Sequence, residues 1–133
     1  MPSAPLAAVV IRAREPARLA EFYRQALQLA EPKAYSATHL GMKLPNGYLG
    51  IEALEDGADL APAGGRVTLW FGVPDADAEY RRWLALGARE KSPPAREESA
   101  GEIVATVYDP EDNVIGLVCP ARAEAPTAIE EKK

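Results

Sequence analysis

The chain has one cysteine, Cys119, and one histidine, His39. A single cysteine excludes an internal disulfide and fits a reducing compartment, so the expected location is the cytoplasm. A lone histidine in a β-prone segment reads as a packed or surface residue rather than a metal ligand. Long apolar runs are also missing. Nothing approaches the ~20 residues that span a bilayer, and the start MPSAPLAAVVIRARE has no basic segment ahead of its apolar stretch, so neither a membrane anchor nor a signal peptide is expected. Basic residues are in deficit, with 15 Lys and Arg against 20 Asp and Glu. The resulting net charge of −5, with cations scattered among acids, argues against a nucleic-acid partner.

What remains is the composition of a soluble globular domain: 133 residues, 47% hydrophobic and 26% charged. Residues 6–119 are expected to fold as one domain, with 120–133 (PARAEAPTAIEEKK) a flexible tail because it carries no sustained apolar stripe. Leu6 to Ala13 is β-prone. Leu19, Phe22, Tyr23, Ala26 and Leu27 then form one helical stripe, which predicts a helix over Glu15 to Leu29 with Pro16 in its first turn and Pro32 barring its extension. Strands are predicted between Tyr35 and Leu54. Asn46-Gly47 supplies the positive φ values of a tight hairpin turn, and Tyr48 to Leu54 is the returning strand.

After the Pro/Gly-rich stretch Ala61 to Gly65 the same grammar returns. Arg66 to Val73 is a strand; Asp75 caps a helix over Asp75 to Leu86 with Ala76, Tyr80, Trp83 and Leu84 on one stripe; Gly87 closes it. Strands follow at Glu102 to Tyr108 and Val114 to Cys119, joined by Asp109-Pro110-Glu111-Asp112-Asn113, an acidic cluster that reads as a solvated turn. The repeat is partly literal. Ala20-Glu21-Phe22-Tyr23-Arg24 parallels Ala78-Glu79-Tyr80-Arg81-Arg82, and Gly50-Ile51-Glu52-Ala53-Leu54 parallels Val114-Ile115-Gly116-Leu117-Val118. The fold class predicted is α+β, two βαβββ modules (about 6–56 and about 66–119) whose mixed sheets enclose a cleft.

VIRAREPARLAEFYRQALQL, VTLWFGVPDADAEYRRWLALGA and above all YDPEDNVIGLV resemble the vicinal oxygen chelate superfamily, which includes glyoxalase I, extradiol dioxygenases and bleomycin-resistance proteins. The resemblance covers nearly the whole folded segment. In metal-using members it implies ligands on the first and last strand of each module, at Ala8, Glu52, Thr68 and Gly116 in this chain. Only Glu52 keeps a competent carboxylate, and tight transition-metal sites need about three or four well-placed donors. No metal and no cofactor are therefore expected. Cys119 lies an odd number of positions from Gly116, so strand alternation points it away from that site.

Alternation also lists the expected cleft lining: Val10 and Arg12 with Ala8, Trp70 and Gly72 with Thr68, Gly50 with Glu52, Val114 and Val118 with Gly116. Val9, Ile11, Leu69 and Phe71 should pack under the helices. The expected ligand-binding residues are Arg12, Glu52, Thr68 and Trp70, with Glu52 the one candidate catalytic group; the competing expectation is that Trp70 only fills space and Arg12 pairs with Glu52. The leading expectation is a metal-free sequestering or resistance-type protein. In it Trp70 stacks on a planar ligand and Glu52 attracts a cation, Ala8 and Gly116 leaving room beside them. The alternatives are a glyoxalase- or dioxygenase-like enzyme (lyase, isomerase or oxygenase) with a relocated metal site, or a subunit whose pairing surface is the point. The resemblance also implies a homodimer.

Overall fold

A computed structural model of the protein describes residues 5–55, 67–97 and 101–121. Two compact units divide at Ala61/Pro62, and each carries one four-stranded mixed sheet with one helix. The connection Ala61 to Gly65, the ends of both modules at Asp56 and Arg66, and the tail beyond Ala121 lie outside the described residues.

The first unit runs β1 (Val9–Ala13), α1 (Pro16–Ala26), β2 (Lys33–Ala34), β3 (His39–Leu44) and β4 (Gly47–Ala53). Its strand order is β1-β4-β3-β2, with β1 and β4 parallel and the other pairs antiparallel. Four of the five residues of the helical stripe read from the sequence, Leu19, Phe22, Tyr23 and Ala26, are buried and are joined by Ala20, on a helix packed against β1, β3 and β4; Leu27 is the C-cap and only half-buried. Met42, Leu49 and Ile51 meet them from the sheet, each almost fully buried. Removing one such side chain from water contributes roughly 1.5–3 kcal/mol.

Pro16 stands in the first turn as expected, but the helix ends before Pro32 can stop it. The Leu29 amide donates to the Arg24 carbonyl (2.8 Å), the Gln28 amide to the Gln25 carbonyl (3.3 Å), and Gln28 adopts φ 56°. This is the left-handed closure usually given to glycine. The hairpin is also one residue earlier than expected. Leu44 pairs with Gly47, so Pro45-Asn46 forms the loop, and neither Asn46 nor Gly47 takes a positive φ. Proline fixes φ near −65°, which suits the first central position of an ordinary turn and removes the need for left-handed residues.

The second unit repeats the plan with β5 (Thr68–Gly72), α2 (Ala76–Leu86), β6 (Arg89–Glu97), β7 (Glu102–Tyr108) and β8 (Val114–Pro120), ordered β5-β8-β7-β6. Asp75 caps α2 by accepting from the Ala78 amide (3.1 Å), and Gly87 closes it at φ 122°. Trp83 is fully buried against the sheet, 6.1 Å from Phe71. β6 is the element the sequence did not suggest. Its REKSPPARE run is exposed at eight of nine positions and pairs with β7 through two register shifts. Pro93 and Pro94 are tolerated there because β6 is an edge strand, where a missing N–H breaks no inner ladder. Residue 120, expected to begin the tail, instead ends β8 opposite Glu102.

Candidate functional site

In the first sheet, alternation separates two faces completely. Val9, Ile11, Leu40, Met42, Leu49 and Ile51 turn toward α1, whereas Arg12, His39, Gly41, Lys43, Tyr48, Gly50 and Glu52 share the other face. The ladder sets Arg12 and His39 on either side of Glu52, Gly41 beside Gly50 and Lys43 beside Tyr48. The two glycines are seats. A Cβ at Gly41 would occupy the place of the Tyr48 hydroxyl, and one at Gly50 would come within 2.7 Å of the His39 ring.

On this floor lies a hydrogen-bonded chain. The Tyr48 hydroxyl is 2.7 Å from His39 Nε2, His39 Nδ1 is 2.7 Å from Glu52 Oε1, and the Thr38 hydroxyl donates to Glu52 Oε2 at 2.7 Å. Ser36 in turn lies 3.3 Å from the Thr38 hydroxyl. The His39 and Tyr48 rings are parallel to within 1°, and the exposed Tyr35 stands edge-on to both at 6.3 Å. Thr38, then His39, hold the Glu52 carboxyl below the usual carboxylate range, with Arg12 adding a weaker push in the same direction. Burial, and secondarily Tyr35, raise the Tyr48 phenol above its usual value. Glu52 is thus an anion whose two oxygens are both engaged within the protein. Its close partner is His39, a hydrogen bond that becomes an ion pair when the ring is protonated, and not Arg12. Arg12 lies across the parallel ladder and acts through its charge.

The chain can move a proton. With the ring proton on Nδ1, His39 donates to Glu52 and accepts from the Tyr48 hydroxyl; protonation at Nε2 reverses the second bond and frees the Tyr48 O–H to turn outward. Arg12 and Glu52, two of the residues expected from the sequence, are neighbours here. His39, Thr38 and Tyr48, joined to Glu52 in one hydrogen-bonded chain, were not among the expected site residues.

In the second sheet Thr68, Trp70, Gly72, Val114, Gly116 and Val118 share a face, as alternation requires, and Trp70 stands opposite Gly116. The room left by Gly116 is not open. The benzenoid edge of Trp70 fills the volume a Cβ would take, while half of the tryptophan (51%) remains exposed. Thr106, opposite Gly116 on β7, has its hydroxyl buried without a hydrogen-bond partner among the described residues. Taking Glu52 and Gly116 as equivalent, the ladders make Arg12 the counterpart of Trp70 and Val10, rather than Ala8, the counterpart of Thr68.

A family-type metal does not fit these residues. Ala8, Val10 and Gly116 offer no donor atom, Glu52 is hydrogen-bonded at both oxygens, and among the described residues no group of three or more His, Cys, Asp or Glu is placed to hold an ion. Cys119 is buried on the helix side, where the Ala76 amide donates to its Sγ at 3.4 Å. The acidic turn after β7 is not simply solvated, contrary to the sequence reading. Asp109 is fully buried and its carboxylate accepts from the amides of Glu111 (2.8 Å) and Asn113 (3.0 Å) and from Asn113 Nδ2 (2.8 Å). It folds the turn by replacing backbone hydrogen bonds. Among the described residues no helix is long and apolar enough to cross a membrane.

Comparison with known proteins agrees with this architecture. A family profile described as a glyoxalase-like domain matches residues 8–118. A glyoxalase/bleomycin resistance protein/dioxygenase family enzyme from Burkholderia phytofirmans PsJN superposes with a TM-score of 0.75 at 21% identity, covering 87% of this chain and 98% of the other. A glyoxalase/bleomycin resistance protein from Albidiferax ferrireducens T118 gives 0.69 at 22% identity, with 86% and 98% covered. A lactoylglutathione lyase from Agrobacterium tumefaciens gives 0.66 at 18% identity, with 89% and 95% covered. No curated protein matches. At these identities the structural likenesses speak for fold alone. On the match over residues 8–118, the chain belongs to the glyoxalase-like domain family of the vicinal oxygen chelate superfamily.

Proposed function

We propose that this chain is a metal-free small-molecule-binding protein of the sequestering or resistance type, using the exposed sheet faces that carry Arg12 and Glu52 in one module and Thr68 and Trp70 in the other. One observation carries this reading. At position 116, where metal-using relatives are expected to place a ligand, the chain has glycine, and an indole lies across it with half of the tryptophan still exposed. A coordination position has become a seat for an aromatic platform. Such a surface stacks on planar groups, and an aromatic pair adds about 0.5–1.5 kcal/mol beyond the area it covers.

The test begins with an unbiased screen of small molecules against purified protein, followed by titration of the best ligand. Trp70→Ala is expected to weaken a stacked ligand about five-fold or more, corresponding to about 1 kcal/mol. Glu52→Gln is expected to act indirectly, by loosening His39 and Tyr48. Unchanged affinity in both variants, with normal melting curves, would move the site elsewhere.

The Tyr48–His39–Glu52 chain favours a second reading, a metal-independent enzyme in which this relay delivers or removes a proton. In that case His39→Ala should reduce turnover of a bound ligand far more than it reduces binding. Binding without turnover counts for the first reading.

A further inference from the structure

We infer that the exposed face of the first sheet takes a small organic oxyanion, a carboxylate or phosphoryl group on a compact body, rather than a cation. The inference deepens the binding function proposed above and rests on it.

The argument starts from the distribution of charge. The molecule as a whole carries −5, which by itself favours cationic ligands. The first sheet inverts this locally. β1 contributes Arg12, β3 contributes Lys43, and β2 contributes Lys33, which the ladder places beside Gly41 on the same face. Three strands therefore each bring one cation to the face, and all three side chains belong to exposed residues. The opposite face of the same strands is without charge. Against the three cations stands one carboxylate, Glu52. Its oxygens accept from Thr38 and face His39 Nδ1, so each already has a partner within the protein.

The middle of the face completes the case. Tyr48 and His39 lie flat on Gly41 and Gly50, so the floor is low where the cations surround it. Tyr35, 57% exposed, stands beside both rings, and Lys33 Nζ lies 5.1 Å from the Tyr35 ring centre. A ligand with a planar body and a terminal oxyanion meets aromatic edges and one of the cations here, with the field of the other two across the same face. When His39 is protonated, the outward-turned Tyr48 hydroxyl adds a donor. An ammonium ligand meets the same cations as repulsion and finds no unengaged carboxylate on the strands of this face.

Four probes of one size decide the matter: benzoate, phenyl phosphate, benzyl alcohol and benzylammonium, each titrated into the full chain while amide and ring signals are followed by NMR. Benzoate or phenyl phosphate is expected to shift the signals of Arg12, His39 and Tyr48 saturably, and comparison of the two separates carboxylate from phosphoryl preference. Arg12→Gln and Lys43→Gln, both changes at exposed positions, are each expected to weaken that binding about three- to five-fold, as removal of one solvent-facing ion pair does. Added salt should weaken it further. Benzylammonium binding this face as well as benzoate, or anion binding unaffected by either variant, would overturn the inference. If benzyl alcohol alone binds there, the anion assignment fails and the binding function survives. If the screen and all four probes find no binding, both fail.

Discussion

Gly41 is the position where one methyl group should do most to the first sheet's face. Its missing Cβ leaves the space that the Tyr48 hydroxyl occupies. The atoms in the way are the far end of a tyrosine, which can swing aside without moving backbone, so Gly41→Ala should fold with little loss of stability. The expected change is local: Tyr48 leaves His39 Nε2, the proton relay is cut, and ligand affinity at the face falls. His39 ring signals in NMR report this directly, and unchanged His39 and Tyr48 signals in a folded variant would show that the ring stays in place. The hydrogen bonds of His39 were hidden in the sequence for a physical reason. A single histidine in a strand has no local partner, and its contact with Glu52 exists only through the β3–β4 ladder. A hairpin loop at Pro45-Asn46 sets these two residues opposite each other. A loop at Asn46-Gly47 keeps both on the same face but slides the pairing by two residues.

At the scale of elements, the two helices end in the same way on different residues. Both close with the paired bonds of a left-handed cap, Leu29 to Arg24 with Gln28 to Gln25, and Ala88 to Trp83 with Gly87 to Leu84. The second module uses glycine and the first uses Gln28 at φ 56°. Left-handed backbone costs a residue with a Cβ roughly 1–2 kcal/mol, part of which glycine gives back through its more flexible unfolded chain. Gln28→Gly is therefore expected to stabilise the protein by about 0.5–1 kcal/mol, seen as a thermal midpoint higher by a few degrees. A lower midpoint would mean that Gln28 makes compensating contacts. Helix positions and strand faces were legible because they are local: a stripe at helical spacing, a cap at Asp75, and the division of Val9 and Ile11 from Val10 and Arg12. β6 was not, since its charges and paired prolines carry no alternating pattern, and it becomes a strand only because β7 offers an edge. The end of α1 was misplaced because nothing in Gln28 announces a left-handed residue.

For the molecule as a whole, composition does not show how charge is distributed, and the repeat does not show what stands at each module's equivalent positions. A net charge of −5 averages over a sheet face that gathers three cations, and only the fold separates the two. The duplicated module was visible in the sequence and so was the family. What stands at the positions of the family's ligands was only half visible. Small residues at Ala8 and Gly116 implied vacancy, whereas the volume at Gly116 is filled by Trp70. The central claim is that binding needs no metal. It is tested most directly by titrating the best ligand from the screen into protein dialysed against a chelator, then into the same protein with one equivalent of zinc, nickel or manganese. The affinity is expected to be the same in all four titrations. Loss of binding after chelation, restored by one stoichiometric ion, would contradict it.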